Sequence, residues 1–238
     1  MTDVGPIARL RTGISGFVKF IAAGLAAGQP CLSFTFDEGR AQLRRCAAGW
    51  GIDLPAAEQA GLLSTVCDYP EVASVEDHFL RIRRAIEDVA PGRLVIDTLS
   101  ALERIGSPRA LLDFVIALVA VARQHGITTL LTAMPAVRHA PDIRPLIAGE
   151  LASLTDVAIT LSYYEQAGEI QRAIAVLQAR GSAHDPRVRQ ATVDGGGGGM
   201  HIGEPIPGIT SLLPGVAALK SPCQSPGAPG SRGARHDG

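Results

Sequence analysis

The sequence predicts an α/β fold: a mostly parallel, twisted β-sheet flanked by helices, with an antiparallel hairpin at one edge. Three observations support this prediction. Short apolar runs alternate with helical periodicities, as in βαβ crossovers. The last two runs are too close together for a crossover helix, and 238 residues are enough for one large domain with a single core.

The candidate strands are short runs rich in β-branched and other apolar residues, which are typical of buried strands. They span residues 31–36, 62–67, 94–97, 128–134, 157–162 and 170–177. Apolar residues at helical spacing predict helices over 40–50, Val75–Val89 and Pro108–Gln124, and the apolar segment 17–27 predicts a core helix before the first strand. The helix at Pro108 has its proline at the start and Gly126 just after its end, as helices prefer.

The fifth and sixth candidate strands are separated only by residues 163–169. A parallel connection needs about a dozen residues or more. We therefore predict that these two strands pair as an antiparallel hairpin, which makes the sheet mixed at one edge.

The composition changes abruptly after Asp194, first to five consecutive glycines and later to an end rich in Pro, Gly and Ser. Such segments bury too little apolar surface to fold. We therefore predict one domain over residues 1–215, followed by a disordered tail over residues 216–238.

Composition and charge argue against several classes of partner. The net charge of −1 and the charged fraction of 19% provide no basic field, so a nucleic-acid partner is not favoured. Segment 17–27 is about half the length needed to span a bilayer, so we expect no membrane insertion. The four cysteines lack C-x-x-C spacing and no secretory leader is evident, so we expect reduced thiols in the cytoplasm.

Within residues 93–100, a predicted apolar strand ends at Asp97, and residues with hydroxyl side chains follow it. The carboxyl end of a parallel strand is a common place for a metal-bound phosphate. Thr132 ends a later strand at the same predicted edge and is a candidate for sensing a γ phosphate. These two residues predict a nucleotide site.

A pair of acids, Asp37 and Glu38, follows the first candidate strand. One carboxylate could act on an attacking water or hydroxyl while the other binds a metal or a helix terminus. Alternatively, Asp37 caps the helix that begins near Arg40. The sequence leaves both interpretations open.

A second polar cluster, at residues 180–185, combines Arg180, a flexible glycine and His184 after the predicted hairpin. Arg180 could reach a phosphate in its own subunit or in a neighbour. The alternative is a polar turn with a surface salt bridge.

A phosphate-binding loop of the GxxxxGK[ST] type is present only in part. Gly13 and Ser15 fit the last glycine and the magnesium-binding hydroxyl, but Ile14 occupies the lysine position and Ala8 the first glycine position. The cation that pairs with the outer phosphates is therefore missing.

The ordered motifs resemble the KaiC family of circadian clock proteins, and more broadly the RecA superfamily of ATPases. The resemblance covers residues 13–215 and is closest to the second, autokinase-bearing half of KaiC. It is carried by the following stretches: Phe36-Asp37-Glu38, Arg40-Ala41-Gln42-Leu43, Trp50-Gly51-Ile52-Asp53, Glu76-Asp77-His78, residues 96–102, Arg180-Gly181-Ser182, His184-Asp185 and residues 199–205.

The resemblance implies a RecA-like fold, ATP and Mg²⁺ as cofactors, and a role for each matched residue. Asp97 matches the carboxylate that holds magnesium through water, and Asp37 and Glu38 match the acids that activate the attacking group. Arg180 matches a residue that contacts phosphate across a subunit boundary. Ser153 matches the second of two phosphoacceptors, the first being replaced by alanine.

Three functional classes follow from this resemblance. The first is an ATPase and serine/threonine autokinase of circadian-clock type, working as a ring-shaped homo-oligomer, a hexamer, with activity impaired by Ile14. The second is a noncatalytic module that binds its own kind, other KaiC-like proteins or signalling partners. The third, a RecA-like DNA-handling ATPase, needs basic loops over a ring channel, and the few basic residues near Arg138 and in the tail do not favour it.

Overall fold

The computed structural model describes residues 11–133, 153–166, 168–194, 199–213 and 216–219. The first part of the chain contains α1 (Arg11–Ala26), β1 (Cys31–Thr35), α2 (Arg40–Ala48), α3 (Leu54–Gln59), β2 (Leu63–Cys67), a 3-10 turn (Pro70–Val72), α4 (Val75–Val89) and β3 (Arg93–Asp97). It continues with α5 (Leu99–Leu102), α6 (Pro108–Gln124), β4 (Thr128–Leu131), β5 (Val157–Gln166), β6 (Glu169–Ala179), β7 (Arg189–Asp194), β8 (Gly199–Pro205), β9 (Ile209–Leu213) and β10 (Val216–Leu219).

The first four strands form a parallel sheet in the order β2-β1-β3-β4. In the central strand β3, Leu94 and Ile96 pack into the apolar cluster that α4 and α6 cover. Val95 points to the other face and packs into the cluster beneath α1, α2 and α3. Because β3 is buried on both faces, its sequence is continuously apolar rather than alternating. This three-layer arrangement confirms the predicted α/β, RecA-like fold class.

The two long helices begin at caps that are visible in the sequence. Ser74 Oγ accepts the Asp77 amide at 3.1 Å at the start of α4, and Ser107 Oγ accepts the Ala110 amide at 3.1 Å at the start of α6. Pro108 occupies the first turn of α6, where no amide hydrogen is needed. These local signals explain why both helices begin where they were predicted, and their predicted ends at Val89 and Gln124 also agree with the structure.

The remaining strands form a second sheet, in the order β8-β7-β6-β5-β10-β9. The predicted hairpin is confirmed, because β5 and β6 pair antiparallel from Val157 opposite Ala179 to Gln166 opposite Glu169. It lies in this second sheet rather than at the edge of the parallel sheet. Strands β7 to β10 were not predicted; polar residues interrupt β7, β8 and β9, and β8 also contains glycine.

Some predicted boundaries need correction. Helix α1 begins at Arg11 rather than at Phe17. Strand β4 ends at Leu131, before its predicted end at Met134, and Met134 itself lies outside the described residues. The first four residues of the predicted disordered tail form β10, which pairs with β5 and β9. Residues 220–238 lie outside the described residues. Strand β10 escaped prediction because long-range pairing, not local composition, orders it.

The second sheet approaches Lys19 of α1 and Trp50 at Gly199. A Cβ at this position would lie 2.9 Å from Cε of Lys19 and 3.5 Å from Cδ2 of Trp50, and the φ of +68° also favours glycine. The ammonium group of Lys19 donates a hydrogen bond to the carbonyl of Met200 at 2.7 Å. Strand β8 is therefore anchored on α1. None of the helices described here is long and apolar enough to cross a membrane.

Candidate functional site

Residues at or just after the ends of three strands lie at the carboxyl edge of the parallel sheet. Asp97 is the last residue of β3, Asp37 follows β1, and Thr132 follows β4. The amide of Phe36 donates a hydrogen bond to the carbonyl of Asp97 at 2.7 Å, which holds the two central strand ends together. The structure thus brings together three of the residues that the sequence singled out.

Asp97 is a buried carboxylate, with only 8% of its residue surface exposed. The hydroxyl of Thr132 donates a hydrogen bond to its Oδ1. The main chain of Thr132 is fixed in turn, since its carbonyl accepts the Leu99 amide at 2.8 Å and the Thr98 hydroxyl at 3.1 Å. Thr132 therefore orients the carboxylate; the predicted role as a γ-phosphate sensor stays a prediction.

The environment of Asp97 shifts its pKa. Burial raises the pKa of this carboxyl above its ordinary value, the hydrogen bond from Thr132 opposes that shift, and the negative charge of Asp37 adds to it. A cation at this edge would relieve the cost of keeping the carboxylate ionised. The site is therefore electrostatically suited to a positive ligand.

Asp37 does not cap α2, so that interpretation is wrong. The N-cap of α2 is Gly39, and no side chain caps this helix. Asp37, whose side chain is 35% exposed, instead forms an ion pair with Arg104 at 3.1 Å. Its neighbour Glu38 is fixed through its carbonyl, which accepts the Thr35 hydroxyl at 2.8 Å.

Arg104 also belongs to this edge, and it was not predicted from the sequence. Its Nη2 lies 3.1 Å from Oδ1 of Asp37, and its Nε lies 3.1 Å from Oε1 of Glu71 in the 3-10 turn. The available signal was its position as the first basic residue after Asp97. Long-range pairing with two acids from other segments could not be read from that position.

Arg180 and Ser153 lie together where β6 ends and the chain enters β5. The guanidinium of Arg180 donates a hydrogen bond to the Ser153 carbonyl at 2.7 Å, and its amide donates to the Asp156 carbonyl at 2.7 Å. These contacts are within one chain. The predicted roles of Arg180 at a neighbour's phosphate and of Ser153 as phosphoacceptor stay predictions.

A surface salt bridge follows Arg180 in the same loop, as the alternative interpretation expected, but it does not use Arg180. Asp185 pairs with Arg187 at 2.8 Å and with Arg189 at 2.7 Å. Hydrogen bonds from Arg187, and then from Arg189, hold the pKa of the Asp185 carboxyl well below its ordinary range. The loop therefore has a structural role independent of any phosphate.

The residues of the partial phosphate loop lie at the start of α1. Gly13, Ile14 and Ser15 belong to the first two turns of this helix, and Ala8 lies outside the described residues. Isoleucine carries no charge for a phosphate. The roles of Gly13 at the nucleotide and of Ser15 at nucleotide and metal stay predictions.

The donor set at the sheet edge fits one kind of metal ion. Within the described ranges, no group of three or more His, Cys, Asp or Glu side chains could enclose a metal. Nucleotide-bound Mg²⁺ needs no such cage, since it takes one or two carboxylates and fills its other positions with phosphate oxygens and water. Asp97, with Asp37 nearby, meets that requirement.

Comparison with known proteins identifies the family of this chain. The family model described as "ATPase: KaiC" matches residues 13–205, which include the acidic edge, the hairpin and strand β8. The chain belongs to the KaiC ATPase family. The resemblance stated from the sequence is thereby confirmed.

Named KaiC relatives match over most of this chain. The "Circadian clock protein KaiC3" of Synechocystis sp. is 38% identical over 199 residues, covering 83% of this chain and 38% of the relative. The "Circadian clock oscillator protein KaiC" of Picosynechococcus sp. is 38% identical over 179 residues, or 75% of this chain and 34% of the relative. That of Thermostichus vulcanus is 39% identical over 175 residues, or 74% and 33%. The chain thus spans only a third to two-fifths of the length of these KaiC proteins.

Proposed function

We propose that this KaiC-family domain binds ATP together with Mg²⁺ at the edge where β1, β3 and β4 end. The observation that carries the proposal is the buried Asp97 carboxylate, oriented by the Thr132 hydroxyl at the carboxyl end of a parallel strand. Asp97 would hold the ion through water, and the ion would neutralise charge on the phosphates. Gly13 and Ser15 would contribute the phosphate side of the site.

We propose further that the domain is an ATPase and serine/threonine autokinase of circadian-clock type with impaired turnover. Ile14 stands where a phosphate-loop lysine would be. Loss of that charge-assisted contact reduces the stabilisation of the transition state more than that of the bound ground state, because charge moves on the phosphates during transfer. Binding is then retained better than catalysis, with Asp37 or Glu38 as base, Arg180 as charge stabiliser and Ser153 as acceptor.

A second candidate function is a noncatalytic KaiC-like interaction module. The ion pair between Arg104 and Asp37 favours it, since the guanidinium occupies one of the two carboxylates proposed as the base. In either case we propose assembly as a ring, a hexamer of this chain or a mixed ring with other KaiC-family proteins. Arg180 would then reach a neighbour's phosphate. A reducing cytoplasm suits the free thiols of Cys31, Cys46 and Cys67.

Incubation with γ-labelled ATP and Mg²⁺, followed by mapping of the label, separates the two candidates. Label on Ser153 that is lost in Ser153→Ala and in Asp97→Asn supports the autokinase. No label and no phosphate release, from a protein that still forms rings by light scattering, supports the module. A strictly monomeric protein in the presence of ATP contradicts the ring in both.

A further inference from the structure

Arg104 joins two acids from different segments of the chain. Its guanidinium lies 3.1 Å from Asp37 Oδ1, in the loop after β1, and 3.1 Å from Glu71 Oε1, in the turn after β2. A guanidinium stays protonated at any physiological pH, so this positive charge cannot be removed by titration. A cation that binds Asp37 therefore competes with Arg104 for the same carboxylate.

The backbone positions around this cation are fixed. Gly106, two residues after Arg104, approaches α4 so closely that a Cβ there would lie 2.6 Å from Cγ2 of Val75. On the other side, the carbonyl of Pro70, next to Glu71, accepts a hydrogen bond from the buried ring nitrogen Nε2 of His78 at 2.9 Å. Arg104 is therefore held between two anchored segments rather than carried on a free loop.

Arg104 is linked to the proposed magnesium site through Asp37. The negative charge of Asp37 is felt at Asp97, where it raises the pKa of the buried carboxyl. By pairing with Asp37, Arg104 offsets part of that negative charge. The side chains of Arg104 and Asp37 are 49% and 35% exposed, so a hydrated ion can reach them.

We propose that Arg104 is a positioning residue that holds Asp37 as its counter-ion, and that a divalent cation binding at this edge must displace it from that carboxylate. The inference rests on the magnesium site proposed at Asp97 and names the residue that sets its affinity. It also explains how two neighbouring carboxylates persist at the edge when no metal is bound. Arg104 thus remains paired with Asp37 until a divalent cation binds that carboxylate.

The test is binding of Mn²⁺ alone, without nucleotide, followed through the electron paramagnetic resonance of the free ion. An exposed ion pair contributes up to about 1 kcal/mol, so Arg104→Gln is expected to tighten Mn²⁺ binding about two- to fivefold. Arg104→Lys keeps the positive charge and is expected to stay close to the parent chain. Circular dichroism verifies that each variant is folded.

Arg81→Gln is the matched control. Arg81 is 50% exposed and pairs at 2.8 Å with Asp68, whose amide donates a hydrogen bond to the Thr35 carbonyl at the end of β1. The charge change is therefore identical and close to the same sheet edge, but it leaves Asp37 paired. We expect little change in Mn²⁺ affinity from Arg81→Gln, and no gain from Arg104→Gln when Asp37→Asn is already present.

Four results would overturn the proposal. They are unchanged or weaker Mn²⁺ binding by Arg104→Gln, an equal gain from Arg81→Gln, a gain that persists in the Asp37→Asn background, and no Mn²⁺ binding by any variant at millimolar concentration. If one of these results is found while magnesium-ATP still binds saturably, only the proposed role of Arg104 is excluded. The proposed nucleotide site would then stand without it.

Discussion

The hydroxyl of Thr132 donates a hydrogen bond to Oδ1 of Asp97 and thereby joins the ends of β4 and β3 at the acidic edge. Both residues sit at strand ends of one parallel sheet, and Asp97 is buried. A buried carboxylate without its donor loses part of the stabilisation of its charge. The relationship predicts how stability depends on this hydroxyl and on pH.

Replacing Thr132 by valine, which keeps the shape and removes the hydroxyl, is expected to lower the free energy of unfolding by about 1–3 kcal/mol at pH 7. The hydrogen bond lowers the pKa of Asp97, so its contribution is present while the carboxyl is ionised and shrinks as pH falls through the pKa of Asp97. Urea denaturation at pH 7 and at pH 4 measures both values. Thr132→Ser keeps the donor and should cost less; a Val variant equal to the parent at pH 7 would contradict the assignment.

Two glycines in α1 should respond oppositely to alanine. At Gly24, a Cβ would lie 2.6 Å from Cδ of Arg93 and 2.7 Å from Sγ of Cys31. Arg93 cannot move freely, since its Nε donates to Gln29 and its Nη1 to the Phe20 carbonyl, each at 2.9 Å. Gly24→Ala should therefore destabilise the fold by about 1–3 kcal/mol through overpacking.

Gly16 is the matched control in the same helix. A Cβ there meets nothing within 4 Å. Gly16→Ala should stabilise the chain by up to about 1 kcal/mol, because alanine loses less backbone entropy in a helix. Thermal unfolding of the two variants measures the difference, and equal midpoints would show that α1 does not pack against Arg93 and Cys31 as described.

Cys31 should be the least reactive of the three thiols described. It is fully buried, and burial raises the pKa of its thiol, with the nearby charge of Arg93 opposing the shift. The thiolate is the reactive form, so a raised pKa leaves less of it at pH 8.5. Alkylation with iodoacetamide followed by peptide mass spectrometry should label Cys46 and Cys67 first; Cys31 reacting as fast as these would contradict its burial.

Local sequence signals were sufficient for most of the parallel sheet and its helices. The continuous apolar run of β3, the helical spacing of α4 and α6, and Pro108 at the start of α6 act within a few residues, so they could be recognised in the sequence. The hairpin of β5 and β6 was predicted from its short connection. Its place in a separate sheet depends on β7 and β10, whose pairing partners are distant in sequence.

The candidate site was predictable only in part. Asp97 and Thr132 were found because strand ends of a parallel sheet converge at one edge. The partner of Asp37 was not found, because Arg104 reaches it across 67 positions of sequence, whereas local spacing offered only a helix cap or a catalytic role. Ion pairs between distant segments are set by the fold, and they leave no periodic signal.

Calorimetric titration of ATP in the presence of Mg²⁺, into the full chain and into Asp97→Asn, tests the central claim most directly. We expect saturable binding to the parent chain and strongly weakened binding to Asp97→Asn, since the variant loses the charge that holds the ion. No saturable binding by the parent at millimolar ATP, or equal binding by both proteins, would contradict a nucleotide site at this edge.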